Sequence, residues 1–188
     1  MNVTLDYITP DALERVGRYA GICYNSNQDS AACIKRAVSC KDKGHLATLR
    51  FAHATFIVTG ISRVCSHQFV RSKHLDFLQR SQRYCNESEA SFVYPGTNLD
   101  TLISGAYQSA MARYQELLAA GVKKEDARFV LPEGTQTSLI VTGNLQAWLD
   151  FIHLRADRHA QWEIQAVAKS INNQLAEHCP GLFNWIPV

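Results

Sequence analysis

ISRVCSHQFVRSKHLDFLQRSQRY, residues Ile61–Tyr84, is the most informative stretch of this chain. Its last fourteen residues set four basic side chains against one acid, Asp76; the basic residues are Arg71, Lys73, Arg80 and Arg83. Uncharged hydrogen-bonding side chains lie between and before them, namely His67, Gln68, Ser72, Gln79, Ser81 and Gln82. Because a guanidinium donates two parallel hydrogen bonds, this segment suits a phosphate or another oxyanion. A solvated basic face fits the same composition.

The order of these residues resembles the flavin-dependent thymidylate synthases. Their signature is R-H-R, seven residues and S, usually inside the longer string S-H-Q-x-V-R-H-R…S-Q-R-Y. In this chain the string is Ser66–Lys73, then seven residues, then Ser81–Tyr84, with Ser72 and Lys73 in place of the last two members of R-H-R. Three further blocks are similar to the family in the same order: FAHATF at Phe51–Phe56, ARFVLP at Ala127–Pro132, and LRAD with QWEI inside Leu154–Ile164.

The distribution of apolar residues predicts an α+β fold with one domain over residues 1–188. The resemblance implies a small, mostly antiparallel sheet flanked by helices. The predicted strands are Val3–Tyr7, His53–Ile61 and Thr135–Thr142. The predicted helices are Pro10 to about Cys23, Ala31–Cys40, Ser62–Phe69, Leu99–Ala120, Lys123–Arg128, and two amphipathic helices over Leu145–Ile152 and Ile164–Leu175. Thr9 is the expected N-cap of the first helix.

The composition is that of a globular protein, with 46% apolar and 19% charged residues. A net charge of +2 does not favour nucleic-acid binding. No run of eighteen apolar residues and no secretory signal is present, so we expect a cytoplasmic protein that does not enter a membrane. The six cysteines are scattered, as expected for reduced thiols. A zinc site from His45, His53, Cys65 and His67 would not match a recurrent ligand spacing.

Four residues outside the basic segment each allow two interpretations. Arg155 lies on the flank of an apolar stripe, either with its head in water or as a ligand of a phosphate or a pyrimidine oxygen. Arg128, just before an apolar run, poses the same choice. Asn144 suits a helix N-cap, a position that also favours anions. His53 heads an apolar strand, where a histidine is commonly a hydrogen-bonded core residue; the resemblance places it against the flavin instead.

The resemblance also implies ligands residue by residue. The deoxyuridylate (dUMP) pocket would contain Gln68, Arg71, Gln79, Ser81, Arg83, Arg128 and Arg155. The FAD side would contain His53, Arg71, Ser72, Lys73, Asn144 and Asp150. Arg155 and Ser81 would be the catalytic residues, Ser81 as a hydrogen-bond donor to phosphate because no base accompanies it. Gln146 stands where the family commonly has arginine.

The activity implied is synthesis of dTMP from dUMP, with 5,10-methylenetetrahydrofolate as one-carbon donor and NADPH as reductant of the FAD. The resemblance further implies a homotetramer with shared active sites. Three alternatives stay open: a related flavin and folate enzyme with another one-carbon product, a catalytically weakened dUMP-binding homo-oligomer, and a nucleic-acid binder using the segment from Arg71 to Arg83.

Overall fold

The computed structural model describes residues 1–184 and contains one four-stranded antiparallel sheet. Its strands are β1 (Asn2–Ile8), β2 (His53–Ser62), β3 (Leu75–Gln79) and β4 (Gln136–Asn144). They lie in the order β1-β2-β4-β3, and every neighbouring pair is antiparallel. The predicted α+β class and antiparallel sheet are therefore confirmed.

Seven helices accompany the sheet in the described part of the chain. They are α1 (Ala12–Ile22), α2 (Ser30–Asp42), α3 (Arg63–Phe69), α4 (Asp100–Ala119), α5 (Lys124–Ala127), α6 (Leu145–Arg155) and α7 (Trp162–His178). Two 3₁₀ turns, Leu46–Phe51 and Arg128–Val130, complete the regular structure. Among residues 1–184, none of the helices has the length and apolar character needed to cross a membrane.

The two faces of the sheet differ. One face packs against the helices in a single apolar core that includes Phe56 and Val141 from the central strands and Trp148 from α6. The other face is more open, since the side chains that alternate with the core residues include Ile140, 42% exposed, and Leu78, 74% exposed. Alternation along each strand thus produces one buried and one accessible surface.

Helices α3 and α6 follow the central strands β2 and β4 directly, without an intervening loop. β2 ends at Ser62, whose hydroxyl accepts a hydrogen bond from the Cys65 N–H at 3.0 Å and caps α3. β4 ends at Asn144, whose side chain accepts from the Ala147 N–H at 2.9 Å and caps α6. Because β2 and β4 are antiparallel, α3 and α6 begin at opposite ends of the sheet.

Two sequence predictions were wrong or incomplete. Thr9 does not cap α1, because the helix begins at Ala12 with Asp11 as N-cap, and Thr9 instead exchanges hydrogen bonds with His53 of β2. β3 was not predicted. Its five residues alternate between the core face (Leu75) and the outer face (Leu78), which is a short signal inside a basic segment.

Candidate functional site

The C-terminal ends of α3 and α6 meet beside the sheet. Arg155 Nη2 donates to the backbone carbonyl of Gln68 at 3.0 Å, across 87 positions of sequence. One turn earlier on α6, Phe151 stacks on Phe69 of α3 with ring centroids 4.6 Å apart. Arg155 is half-buried, and its Nε is buried without a hydrogen-bond partner in the structure. Arg155 therefore does not place its whole head in water, and its buried Nε keeps a donor without a partner.

A buried carboxylate fixes the start of α3. Glu163, 2% exposed on α7, accepts hydrogen bonds from both the backbone N–H and the hydroxyl of Ser62. Ser62 in turn caps α3 through Cys65. Because α3 is only seven residues long, this anchor sets the direction in which the helix delivers Gln68.

Burial, followed by the charge of Glu163, raises the pKa of the Cys65 thiol well above its ordinary value. The thiolate form is therefore disfavoured at neutral pH. Cys65 acts as an apolar packing residue here and not as a nucleophile.

A bend from Arg71 to His74 links α3 to β3 and crosses towards the start of α6. Ser72 is held by its N–H, which donates to the Phe69 carbonyl at 2.9 Å, and its Oγ is buried without a partner. Arg71 and Lys73 are exposed. The bend passes so close to Gly143 that a Cβ there would lie 3.2 Å from the His74 carbonyl oxygen. We call Gln68, Ser72 and Arg155 the junction group.

Gln79 lies at the end of β3 on the core face. Its Nε2 donates to Ser66 Oγ at 2.9 Å and to Thr137 Oγ1 at 3.2 Å. These two bonds orient the amide nitrogen towards α3 and β4.

Three further predicted dUMP ligands, Ser81, Arg83 and Arg128, form a second cluster together with Glu125, which was not predicted. We call these four residues the loop group. Arg83 Nε lies 2.6 Å from a carboxylate oxygen of Glu125, and Arg128 Nε donates to the Glu125 carbonyl at 3.0 Å. Ser81 Oγ accepts from the Arg83 N–H at 3.2 Å. Within residues 1–184, no hydrogen bond or ion pair joins the loop group to the junction group.

Arg80 has a structural contact. Its Nε lies 3.1 Å from the carboxylate of Glu87, which is 2% exposed, and the Glu87 N–H donates to the Tyr114 hydroxyl at 3.2 Å. The hydrogen bond to Glu87 raises the pKa of Arg80. This residue anchors its loop to α4.

The predicted flavin residues Asn144 and His53 lie opposite each other at the start of α6, as a residue pair of β4 and β2. His53 is exposed, so the interpretation of His53 as a core residue is wrong. Asp150 is also exposed, further along α6. The Oε1 of Gln146, at the second position of α6, accepts a hydrogen bond from Arg50 Nε at 2.7 Å.

The four residues considered for zinc are not alike in exposure: Cys65 is buried, whereas His45, His53 and His67 are exposed. No group of three or more metal-ligating side chains comes together in the described part of the chain.

Three residues that the sequence analysis did not single out make contacts at this site: Ser66, Glu163 and Arg50. Glu163 could have been found from the sequence, because an acid beside the apolar stripe of α7 needs hydrogen-bond donors. Arg50 had none, because its partner lies 96 positions away.

Comparison with known proteins identifies the family of this chain. Residues 4–181 match the family described as thymidylate synthase complementing protein. The flavin-dependent thymidylate synthase of Mycobacterium avium is 34% identical over 93% of this chain and 78% of its own length. Those of Mycobacteroides abscessus and Mycobacterium bovis are 38% and 37% identical, over 74% and 76% of this chain. The alignments span 64% and 65% of these two relatives, just under two thirds of their length. The chain belongs to the flavin-dependent thymidylate synthase family.

Proposed function

We propose that this chain is a flavin-dependent thymidylate synthase. It makes dTMP from dUMP, with 5,10-methylenetetrahydrofolate as the one-carbon donor and NADPH as reductant by way of FAD, in the cytoplasm. The observation that carries the proposal is Arg155, a half-buried guanidinium fixed by the Gln68 carbonyl with its Nε left without a partner. A cation held this way is prepared for a polar ligand.

Arg155 has the properties of a catalytic donor. Its position is set by the backbone of α3, so little reorganisation is needed when charge develops on a pyrimidine oxygen. One preorganised donor of this kind contributes about 3 kcal/mol to transition-state stabilisation. Arg155 therefore binds the base of dUMP and stabilises negative charge on its oxygens.

The loop group suits the phosphate and ribose of dUMP. Arg83 already binds an anion, the carboxylate of Glu125, in an exposed ion pair. Such pairs contribute little net free energy, so a phosphate can replace the carboxylate at small cost. Arg128 donates to the backbone carbonyl of Glu125, Ser81 accepts from the Arg83 N–H, and both would complete the phosphate contacts.

The residues of the bend after α3 and those at the start of α6 suit FAD. The buried Oγ of Ser72 has no partner, Lys73 and Arg71 present exposed cations, and Asn144 and His53 offer polar groups at the start of α6. FAD, when bound, supplies the redox chemistry that converts the one-carbon unit into a methyl group. The chain holds and orients it through these side chains.

Cys65 and Ser81 are both poor nucleophiles in this structure. Cys65 is buried with a raised pKa, and Ser81 Oγ accepts a backbone hydrogen bond without a base beside it. An unactivated hydroxyl or thiol reacts slowly. This agrees with a reaction in which the side chains position and polarise the reactants.

A homotetramer with shared active sites is part of the proposal. Two features support it. The junction group and the loop group are not joined by a polar contact within residues 1–184, and the outer face of the sheet exposes apolar side chains such as Leu78 and Ile140. Light scattering on the purified chain at several concentrations tests the mass, and a monomer would exclude a shared site.

The activity is tested by reconstitution. The purified chain is mixed with FAD, NADPH, methylenetetrahydrofolate and dUMP tritiated at C5, and release of tritium is followed together with the visible flavin spectrum. Tritium release with dTMP as the product supports the proposal. Another one-carbon product by mass spectrometry would favour the altered enzyme, and dUMP binding without turnover would favour the weakened binder.

A further inference from the structure

Arg50 is held by a neutral side-chain amide. It lies near the end of the 3₁₀ turn Leu46–Phe51, is exposed, and donates through Nε to the side-chain oxygen of Gln146 at 2.7 Å. No carboxylate lies within ion-pair distance of it in the described part of the chain. The amide of Gln146 orients the guanidinium without neutralising it.

Four other arginines differ from Arg50 in this respect, whereas Arg36 and Arg155 also bond to neutral acceptors. Arg18, Arg80, Arg83 and Arg113 each pair with a carboxylate. A guanidinium tethered at Nε still presents the donors of its two terminal nitrogens, the arrangement that binds phosphate with two hydrogen bonds. Arg50 therefore keeps both its charge and its binding edge.

The backbone around Arg50 is also fixed. The Leu145 N–H of α6 donates to the Ala52 carbonyl at 2.9 Å, and His53 pairs with Asn144 across β2 and β4. These connections and the Arg50–Gln146 bond place Arg50 at the start of α6, beside the residues assigned above to FAD.

We infer that Arg50 is a further cofactor-binding residue, which binds an anionic phosphate group of FAD and supplies the positive charge that Gln146 does not. The inference rests on the proposed function. Its basis is the Arg50–Gln146 contact, which brings a guanidinium to the one position of α6 where this chain has an amide and the family commonly has arginine. Gln146 is then a positioning residue for Arg50.

The test measures FAD binding to cofactor-free protein at low salt. Quenching of flavin fluorescence reports the binding. Replacing Arg50 with Gln removes one charge-assisted, two-fold contact, so the Kd for FAD should rise about tenfold or more. Arg50→Lys should be intermediate, because it keeps the charge and loses the fork. Arg113→Gln removes an exposed arginine from α4 and should leave the Kd unchanged.

Riboflavin, which has no phosphate, separates binding of the phosphate from general damage. If Arg50 contacts phosphate, Arg50→Gln should leave riboflavin affinity unchanged. Equal weakening of FAD and riboflavin would overturn the inference. Light scattering on each variant checks that the oligomeric mass is retained.

Gln146 provides a second, independent arm. Gln146→Leu removes the hydrogen bond that holds Arg50 and should weaken FAD binding two- to threefold, about the contribution of one neutral hydrogen bond. The effect is smaller than that of losing Arg50 itself, because the charge of Arg50 remains. The double variant Arg50→Gln with Gln146→Arg returns a guanidinium to the same place and should recover most of the lost affinity.

Failure of this inference and failure of the proposed function give different results. If the unaltered chain binds no FAD, both are wrong. If it binds FAD and Arg50→Gln binds equally tightly, only the role of Arg50 is wrong.

Discussion

The junction group and the loop group use arginine in opposite ways. Arg155 is half-buried, held by a neutral backbone carbonyl, and keeps one buried donor without a partner. Arg83 is exposed and already paired with the carboxylate of Glu125. The first arrangement suits stabilisation of a transition state, and the second suits replacement of one anion by another. The difference separates a residue expected to affect kcat from one expected to affect substrate binding.

The largest effect is expected at Arg155. Arg155→Gln should lower kcat by about a hundredfold or more, because it removes a preorganised donor to the charge that develops on the pyrimidine. Tritium release under saturating substrates measures it. Arg158→Gln, three residues further on and exposed, is the matched control. An unchanged kcat for Arg155→Gln would remove the catalytic role of the junction group.

Replacement of Glu163 tests whether the contact between α3 and α6 depends on the hydrogen bonds from Ser62 to this buried carboxylate. Glu163→Ala leaves the N–H and the hydroxyl of Ser62 without their acceptor in a buried place, which should lower the free energy of unfolding by about 2 kcal/mol. Urea denaturation measures the change. Glu177→Ala, exposed on the same helix, should change stability by less than about 0.5 kcal/mol. Equal effects from the two variants would contradict the anchor.

Arg83 should affect binding with little effect on stability. Arg83→Gln is expected to raise the Kd for dUMP about tenfold through loss of a charge-assisted contact, and to shift the free energy of unfolding by less than about 1 kcal/mol. Glu125→Gln should act in the opposite direction and tighten dUMP binding a few-fold, because the competing carboxylate is gone. Isothermal titration measures both. A weaker complex with Glu125→Gln would show that the acid helps to place Arg83 and does not compete.

The smallest effect is a difference in thiol labelling between the two regions. Burial raises the pKa of Cys65 in the junction, whereas Cys85, whose N–H donates to the Ser81 carbonyl, is half-buried beside the loop group. Since iodoacetamide reacts with thiolate, Cys85 should be alkylated before Cys65 at pH 8, and Cys65 should stay unmodified in folded protein. Mass spectrometry of digests gives the order. Early modification of Cys65 would mean that the junction opens readily.

Cys179 is a second buried cysteine that the same labelling experiment follows. Burial raises the pKa of Cys179 to about 11. Because its folded pKa lies above the working range, its thiolate fraction increases about tenfold for each pH unit between 8 and 10. Because the Cys179 side chain is buried, it should nevertheless stay unmodified while the fold is intact, and its labelling would report opening of the fold.

The sequence predicted those parts of the fold that depend on local pattern. β2 and β4 were recognisable from β-branched and apolar runs, and Asn144 was correctly expected to cap α6. β3 escaped because five alternating residues are a weak signal beside four basic ones. The face on which His53 lies depends on strand register, which one strand alone does not determine.

The site was only partly predictable for the same reason. That Arg155 and Gln68 belong to one pocket came from the family resemblance, and their contact through a backbone carbonyl came from the structure. The pairing of Arg83 with Glu125 and of Arg50 with Gln146 joins residues far apart in sequence, and no local pattern marks either pair. The roles of individual ligands stay predictions until binding is measured.

The distance in sequence between Gln68 and Arg155 has a consequence for biosynthesis. A chain emerging from the ribosome completes α3 long before α6 exists, so the first part of the proposed nucleotide site is made before β3, α4, α5 and β4. Nascent chains that end before Arg155 lack the guanidinium that bonds to the Gln68 carbonyl. Affinity for nucleotide should therefore arise in one late step of translation, and truncated products should not compete with the finished protein for dUMP.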